Sequence, residues 1–171
     1  MQINKQVIVK EAQDWIKTIV IYILIALLIR FFILNLSIVP TGSMIPTIQI
    51  NDKIVVLKFN YWFFPVKRGD IIVFHSPHEK NVQLVKRVVG MGGETILIKD
   101  GKLYINGKLH LEPYIYEKMN EDFGPYEIPE YGYFVMGDNR NNSYDCRKWD
   151  QKYITKDMII GKAVYKFGAL K

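Results

Sequence analysis

Hydropathy divides the chain into two regimes. Over 18–29 the sequence TIVIYILIALLI carries no charge, and after Arg30 the run FFILNLSIV continues uncharged to Pro40. Together these make about 22 residues, enough to cross ~30 Å of hydrocarbon, so the pattern predicts a transmembrane helix over 18–39. The apolar stretch is longer than the core of a cleaved secretory leader, and no Ala-x-Ala follows it. It is apolar on every face, unlike a helix packed against a domain. Arg30 is expected to snorkel from the trailing third of the helix to an interface, with Trp15 and Lys17 marking the other.

Beyond Pro40 the pattern becomes one of short apolar runs separated by turn signals. Strands are expected at 53–59, 70–75, 82–89, 94–99, 102–105, 133–136 and 161–167. Asp100-Gly101 and Asn106-Gly107 suit tight hairpin turns with positive φ, giving a meander over 94–111. Helical signal outside the anchor is confined to one short turn opened by Thr155-Lys156-Asp157. The expected fold class is therefore mainly β: one antiparallel sheet or barrel-like domain over 40–171 behind a single transmembrane helix, with 1–17 preceding it. No internal repeat is visible. Residues 59–65, FNYWFFP, are too aromatic for an ordinary solvated loop. They read either as core or as a loop dipping into a membrane interface.

Charge and cysteine content narrow the classes. Of 171 residues, 23 are Lys or Arg and 17 Asp or Glu, a formal net charge of +6. The basic residues do not run together, which argues against nucleic acid as a partner. Lys5, Lys10 and Lys17 before the apolar stretch, against Lys53 and Lys58 after it, lean toward a cytoplasmic N-terminus and a domain outside. With Cys146 the only cysteine, no intramolecular disulfide can form.

Three segments can carry chemistry. Ser43 lies in Pro40-Thr41-Gly42-Ser43-Met44-Ile45-Pro46, where the prolines resist regular structure and Gly42 permits close backbone approach. Thr41 and Ile45 exclude the Gly-x-Ser-x-Gly elbow. His75, His78 and His110 offer no obvious partner, and no ligand cluster points to a metal or cofactor. Lys86 is a better base: alternation over 82–89 places it on one face with Val82, Leu84 and Val88, opposite Gln83, Val85, Arg87 and Val89. Burial there would lower its pKa from about 10.4, and a nearby Arg87 charge would add to the depression. The third segment, 137–147, is a densely polar loop, GDNRNNSYDCR, directly after the apolar strand YFVM. Its alternating carboxylates and guanidiniums suit paired hydrogen bonding.

In order, the segments from Pro40 to Thr47, Arg68-Gly69-Asp70-Ile71-Ile72-Val73-Phe74, Lys86-Arg87-Val88-Val89-Gly90 and Gly137 to Arg147 resemble the conserved boxes of bacterial type I signal peptidases, single-anchor Gram-positive type. That resemblance implies a membrane-bound serine endopeptidase with Ser43 as nucleophile and Lys86 as general base. Thr41 and the Ser43 N–H would form the oxyanion hole, and Ser143 would orient the lysine. Asp145 and Arg147 would form an ion pair, and Asp138, Asn139 and Arg140 would brace the site. Val39, Pro40, Met44, Leu84 and Val85 would wall a cleft for small side chains, with substrate added as a strand beside 82–89. No cofactor is implied; the partners are preprotein signal peptides, the lipid bilayer and the secretion translocon. Cys146 stands where the family commonly has serine, and Thr41 replaces a commoner serine. The short stretch between Gly90 and Gly137 leaves room for little more accessory structure than the hairpins at 94–111. A narrower enzyme serving one pilin-like or conjugation substrate remains open, as does a non-catalytic membrane-tethered binding module. The last has no use for the set Ser43, Lys86, Ser143, Asp145 and Arg147.

Overall fold

The computed structural model describes residues 5–29 and 34–167. Helix α1 (Lys5–Leu28) opens the chain, and its side chains from Lys10 onward are exposed all round. Trp15, Ile19, Tyr22, Leu24 and Leu27 all face outward. Charges at Lys10, Glu11, Asp14 and Lys17 occupy its first half, and among the described residues no helix is long and apolar enough to cross a membrane. Arg30 and its expected snorkelling lie outside the described residues.

The helix expected to run to residue 39 is cut short by a strand, β1 (Leu34–Ile38). Leu-Asn-Leu-Ser-Ile alternates apolar and polar positions, the period of a strand with one wet face. Its ladder with β2 (Lys53–Leu57) runs from Leu34 opposite Leu57 to Ile38 opposite Lys53. The β domain thus begins before Pro40, and the loop carrying Ser43 is a connection between paired strands.

The remaining strands are β3 (Ile71–His75), β4 (Gln83–Gly90), β5 (Thr95–Lys99), β6 (Lys102–Ile105), β7 (Lys108–His110), β8 (Phe123–Glu127), β9 (Gly132–Met136), β10 (Ile154–Thr155) and β11 (Ile159–Phe167). They form an antiparallel seven-stranded sheet, ordered β1-β2-β11-β3-β4-β9-β10, and a four-stranded sheet, ordered β7-β6-β5-β8. Both expected hairpin turns are present: Asp100 and Gly101 have φ of 53° and 72°, and Asn106 and Gly107 have 51° and 75°. Lys156–Met158 form the short 3₁₀ turn expected after Thr155.

The accessory unit is larger than the hairpins expected at 94–111, because β8 pairs with β5 and closes a fourth strand. Gly124-Pro125, a pair that in sequence marks turns, lies inside β8. Segment 59–65 divides between its two readings: α2 (Asn60–Phe63) buries Tyr61, whose hydroxyl donates to Asp70 Oδ2 at 3.0 Å, while Trp62, Phe63 and Phe64 stay exposed.

Two apolar clusters flank the larger sheet. Ile72, Phe74, Val88, Met136 and Trp149 join the inner residues of the accessory sheet in one. Val39, Met44, Ile48, Ile54, Val56 and Val73 form the other. Neighbours in sequence go to different clusters, as Ile72 and Val73 do, because side chains alternate along a strand.

Candidate active site

The Ser43 loop is pinned from below. Met44 and Ile48 fill the second cluster, and Val39 N–H donates to Asp52 O at 3.0 Å while Asn51 N–H returns to Val39 O at 2.8 Å. Gly42–Met44 form a 3₁₀ turn whose backbone is held from across the site by Asn139. The Asn139 N–H donates to Ser43 O at 3.0 Å, and its side-chain amide donates to Gly42 O at 3.0 Å. Ser43 is thus placed by bonds to its own main chain, which leaves its hydroxyl available.

Lys86 on β4 is 3% exposed, and its Nζ donates to Ser43 Oγ at 2.8 Å and to Val85 O at 3.2 Å. Burial pushes its pKa down to about 8, against a smaller upward pull from Asp145 and Cys146. Arg87 takes no part in this, contrary to expectation. Alternation turns it to the other face, where it forks onto Asp138 at 2.8 and 2.6 Å and its charge is spent there. Thr41 Oγ1 lies 3.5 Å from Ser43 Oγ.

The polar loop folds around three buried pairs. Arg147 grips both oxygens of Asp145 at 2.8 and 2.9 Å and donates to Arg140 O at 2.7 Å. Asp145 also accepts the Gly137 N–H at 3.0 Å, and Asp138 accepts from Thr47 as well as from Arg87. Arg140 donates to Gly137 O at 3.0 Å and forks onto Glu112. Ser143 is buried, but its hydroxyl has no hydrogen-bond partner among the described residues, so the expected bond to Lys86 is not formed.

A cleft of about 300 Å³ opens over this dyad, lined by Thr41, Ser43, Leu84 and Lys86 together with His78, Tyr144 and Trp149. Of the five wall residues expected, only Leu84 borders it. Val39 and Met44 lie in the core under the nucleophile, Val85 packs against the same cluster, and Pro40 is exposed. Apolar residues beside a nucleophile look alike in sequence whether they face the cleft or support its floor. Trp149 follows the polar loop by two residues, and His78 sits in the loop after β3. Neither had a period or motif to single it out.

The β4 edge beside the cleft is open. Val88 spends its N–H and C=O on Asp70 and Gly69, on the β3 side. Alternation therefore turns the main-chain groups of Gln83 and Val85 the other way, where pairing with β9 begins only at Arg87.

This pocketed Ser–Lys pair on an antiparallel sheet can be set beside known proteins. Residues 12–167 match the family model described as "Signal peptidase, peptidase S26". The chain belongs to the signal peptidase family. It is 42% identical over 161 residues to signal peptidase I of Leptolyngbya laminosa, covering 90% of this chain and 78% of that one. It is 40% identical over 164 residues to signal peptidase I of Bacillus licheniformis, covering 90% and 87%. The crystal structure of a signal peptidase I from Enterococcus faecalis V583 aligns with a TM-score of 0.52 at 31% identity, covering 59% of this chain and 98% of that one. As in other signal peptidases, the activity to be explained is cleavage of signal peptides.

Proposed function

We propose that this signal peptidase is a membrane-bound serine endopeptidase acting through a Ser43–Lys86 dyad. The observation that carries the reading is the 2.8 Å approach of Lys86 Nζ to Ser43 Oγ within a buried site. The neutral amine takes the hydroxyl proton as Ser43 Oγ attacks the scissile carbonyl. The same group then protonates the leaving amine and, in the second half-reaction, deprotonates the water that hydrolyses the acyl-enzyme. Ser43 N–H, in the first turn of its 3₁₀ helix and so without an acceptor inside it, and the Thr41 hydroxyl face the developing oxyanion. Substrate lies extended along the open β4 edge, exchanging ladder bonds with Gln83 and Val85, with a small side chain before the cut admitted beside Leu84.

Membrane attachment rests on the apolar run entering the sheet through β1. Leu36 and Ile38 on β1, and Trp62, Phe63 and Phe64 at the end of α2, are all more than half exposed, which suits a domain resting at a lipid interface. The N-terminus is assigned to the cytoplasm and the catalytic domain to the outer side.

The test is a pH–rate profile of the full chain in detergent on a preprotein with an Ala-x-Ala site. Lys86 is protonated and inert below its pKa, so the rate climbs through pH 8, the value burial sets, and at pH 6 lies about a hundredfold below the plateau. A rate flat down to pH 5 overturns the lysine base. Removing the side-chain donor with Thr41→Val is expected to lower kcat about 10²-fold or more with little change in KM, whereas Thr41→Ser retains most of it. Steady-state kinetics of the two variants side by side check this.

A further inference from the structure

Among the described residues, three ion pairs have both side chains at most 11% exposed: Arg87–Asp138, Arg140–Glu112 and Arg147–Asp145. All three hold the loop that carries Ser143, and the first also holds Arg87, the residue next to Lys86. Two pairs lie within the boxes already described. The third brings in Glu112, from the segment that follows β7 in the accessory sheet. Glu112 holds Arg140 with both carboxylate oxygens and accepts the Tyr114 hydroxyl at 2.6 Å. The Tyr114 ring lies over the Arg87 guanidinium, with Cζ 4.0 Å from the ring centre, and faces Arg140 at 5.8 Å. Burial and the Glu112 charge push the Tyr114 phenol up, which keeps it a hydrogen-bond donor. The same segment is stitched to the loop again where Asn141 accepts the Asn120 N–H and donates to Lys118 O, both at 2.9 Å.

A buried ion pair is a poor device for stability, since apolar side chains of equal volume serve as well or better. What a bidentate guanidinium–carboxylate pair supplies is orientation. Stacked on Tyr114 and forked onto Asp138, Arg87 cannot rotate without disturbing β4 beside Lys86. Arg140 in turn cannot move without shifting the carbonyl that Arg147 holds.

We infer that Glu112 and Tyr114 are positioning residues of the cleavage reaction, through which the accessory sheet fixes the Ser143 loop and the Lys86 strand around a buried base. The inference rests on the Ser43–Lys86 reading. The charged and titratable groups around Lys86 are Asp145 and Cys146 from the loop, with His78, Glu79 and Tyr144 bordering the same cleft. Loosening the loop admits water to the amine, weakening the burial that lowers its pKa, so the rising part of the pH–rate profile moves up.

The experiment uses the full chain in detergent with an Ala-x-Ala peptide, measuring kcat and KM from pH 6 to 10 and Tm for each variant. Glu112→Ala and Tyr114→Leu are expected to move the rise upward by about one pH unit, a loss of about tenfold in kcat near neutrality. KM should stay within about twofold and the rate should recover at high pH. Glu112→Gln, which keeps one acceptor for Arg140, falls between. Glu94→Ala breaks a second tie between accessory sheet and core, the Arg68–Glu94 pair; it lowers Tm and leaves the rise in place. If Glu112→Ala does not fold, Tyr114→Leu and Glu112→Gln decide. Variants that lower Tm while kcat and the rise stay at wild-type values overturn the inference and leave these residues structural. Lys86→Met run in parallel separates the two claims: an active Lys86→Met enzyme sinks the dyad itself, whereas an inactive one beside unaltered Glu112 and Tyr114 variants sinks only this inference.

Discussion

Replacing Ser43 with alanine, or Lys86 with methionine, is expected to lower the rate of signal-peptide cleavage by at least about 10⁴-fold, with substrate still bound. Neither function has a substitute nearby: among the groups bordering the cleft, His78 is exposed and packs edge-on against Trp149 rather than against Ser43. The two variants should differ in stability. The folded pKa of Lys86, about 8, lies below the ordinary value of 10.5, so the unfolded chain binds the proton more tightly. The resulting penalty grows as pH falls from 10.5 to 8 and is fully present below, amounting to about 3 kcal/mol. Methionine fills similar volume without a charge to desolvate. Lys86→Met should therefore melt higher than the wild type near neutral pH while being inactive, and thermal melts beside cleavage assays test both halves. A marked loss of Tm in Lys86→Met would mean that the amine is stabilised by its surroundings and is a poor base.

Gly137→Ala should nearly silence the enzyme without touching a reacting atom. A Cβ at this position would overlap the Ser43 carbonyl oxygen and Ser143 Oγ, and would lie 2.7 Å from Ser143 Cβ. Neither neighbour is the free end of a flexible chain. The Ser43 carbonyl is tied to Asn139, and the Gly137 N–H is tied to Asp145. The methyl must therefore push the nucleophile's backbone away from Lys86, and displacement of about 1 Å in such a constellation costs about 10²-fold in rate. Overpacking adds about 1–3 kcal/mol of destabilisation. The decisive measurement is kcat on material shown by circular dichroism to be folded. A folded Gly137→Ala enzyme with wild-type kcat would show that the loop and the nucleophile do not depend on this close approach.

Legibility in sequence followed locality. The hairpins at Asp100-Gly101 and Asn106-Gly107 were readable because two adjacent residues carry the whole conformational demand. Lys86 was readable because a charge at an apolar register position breaks a period of two. What escaped depends on residues far apart or on competing local signals. Strand β1 was hidden because its alternation sits inside a longer uncharged run, and β8 because Gly124-Pro125 imitates a turn. Arg87 was expected to repel the Lys86 charge; its partner Asp138 lies 51 positions on, and no pattern announces so distant a pairing. Glu112, 28 positions from Arg140, was passed over for the same reason. The polar loop was recognised as an organised unit, yet the half of its support that comes from the accessory sheet was invisible.

Cys146 is sealed. Its side chain is fully buried, Val135 N–H donates to its sulfur at 3.2 Å, and burial raises the thiol pKa well above the ordinary value. Thiolate is the form that maleimides and nitroxide reagents attack, and here it is both scarce and unreachable. The wild-type chain is thus a ready background for site-directed labelling: a cysteine introduced on α1 or at Trp62 would be the sole reporter of position, with nothing to remove first.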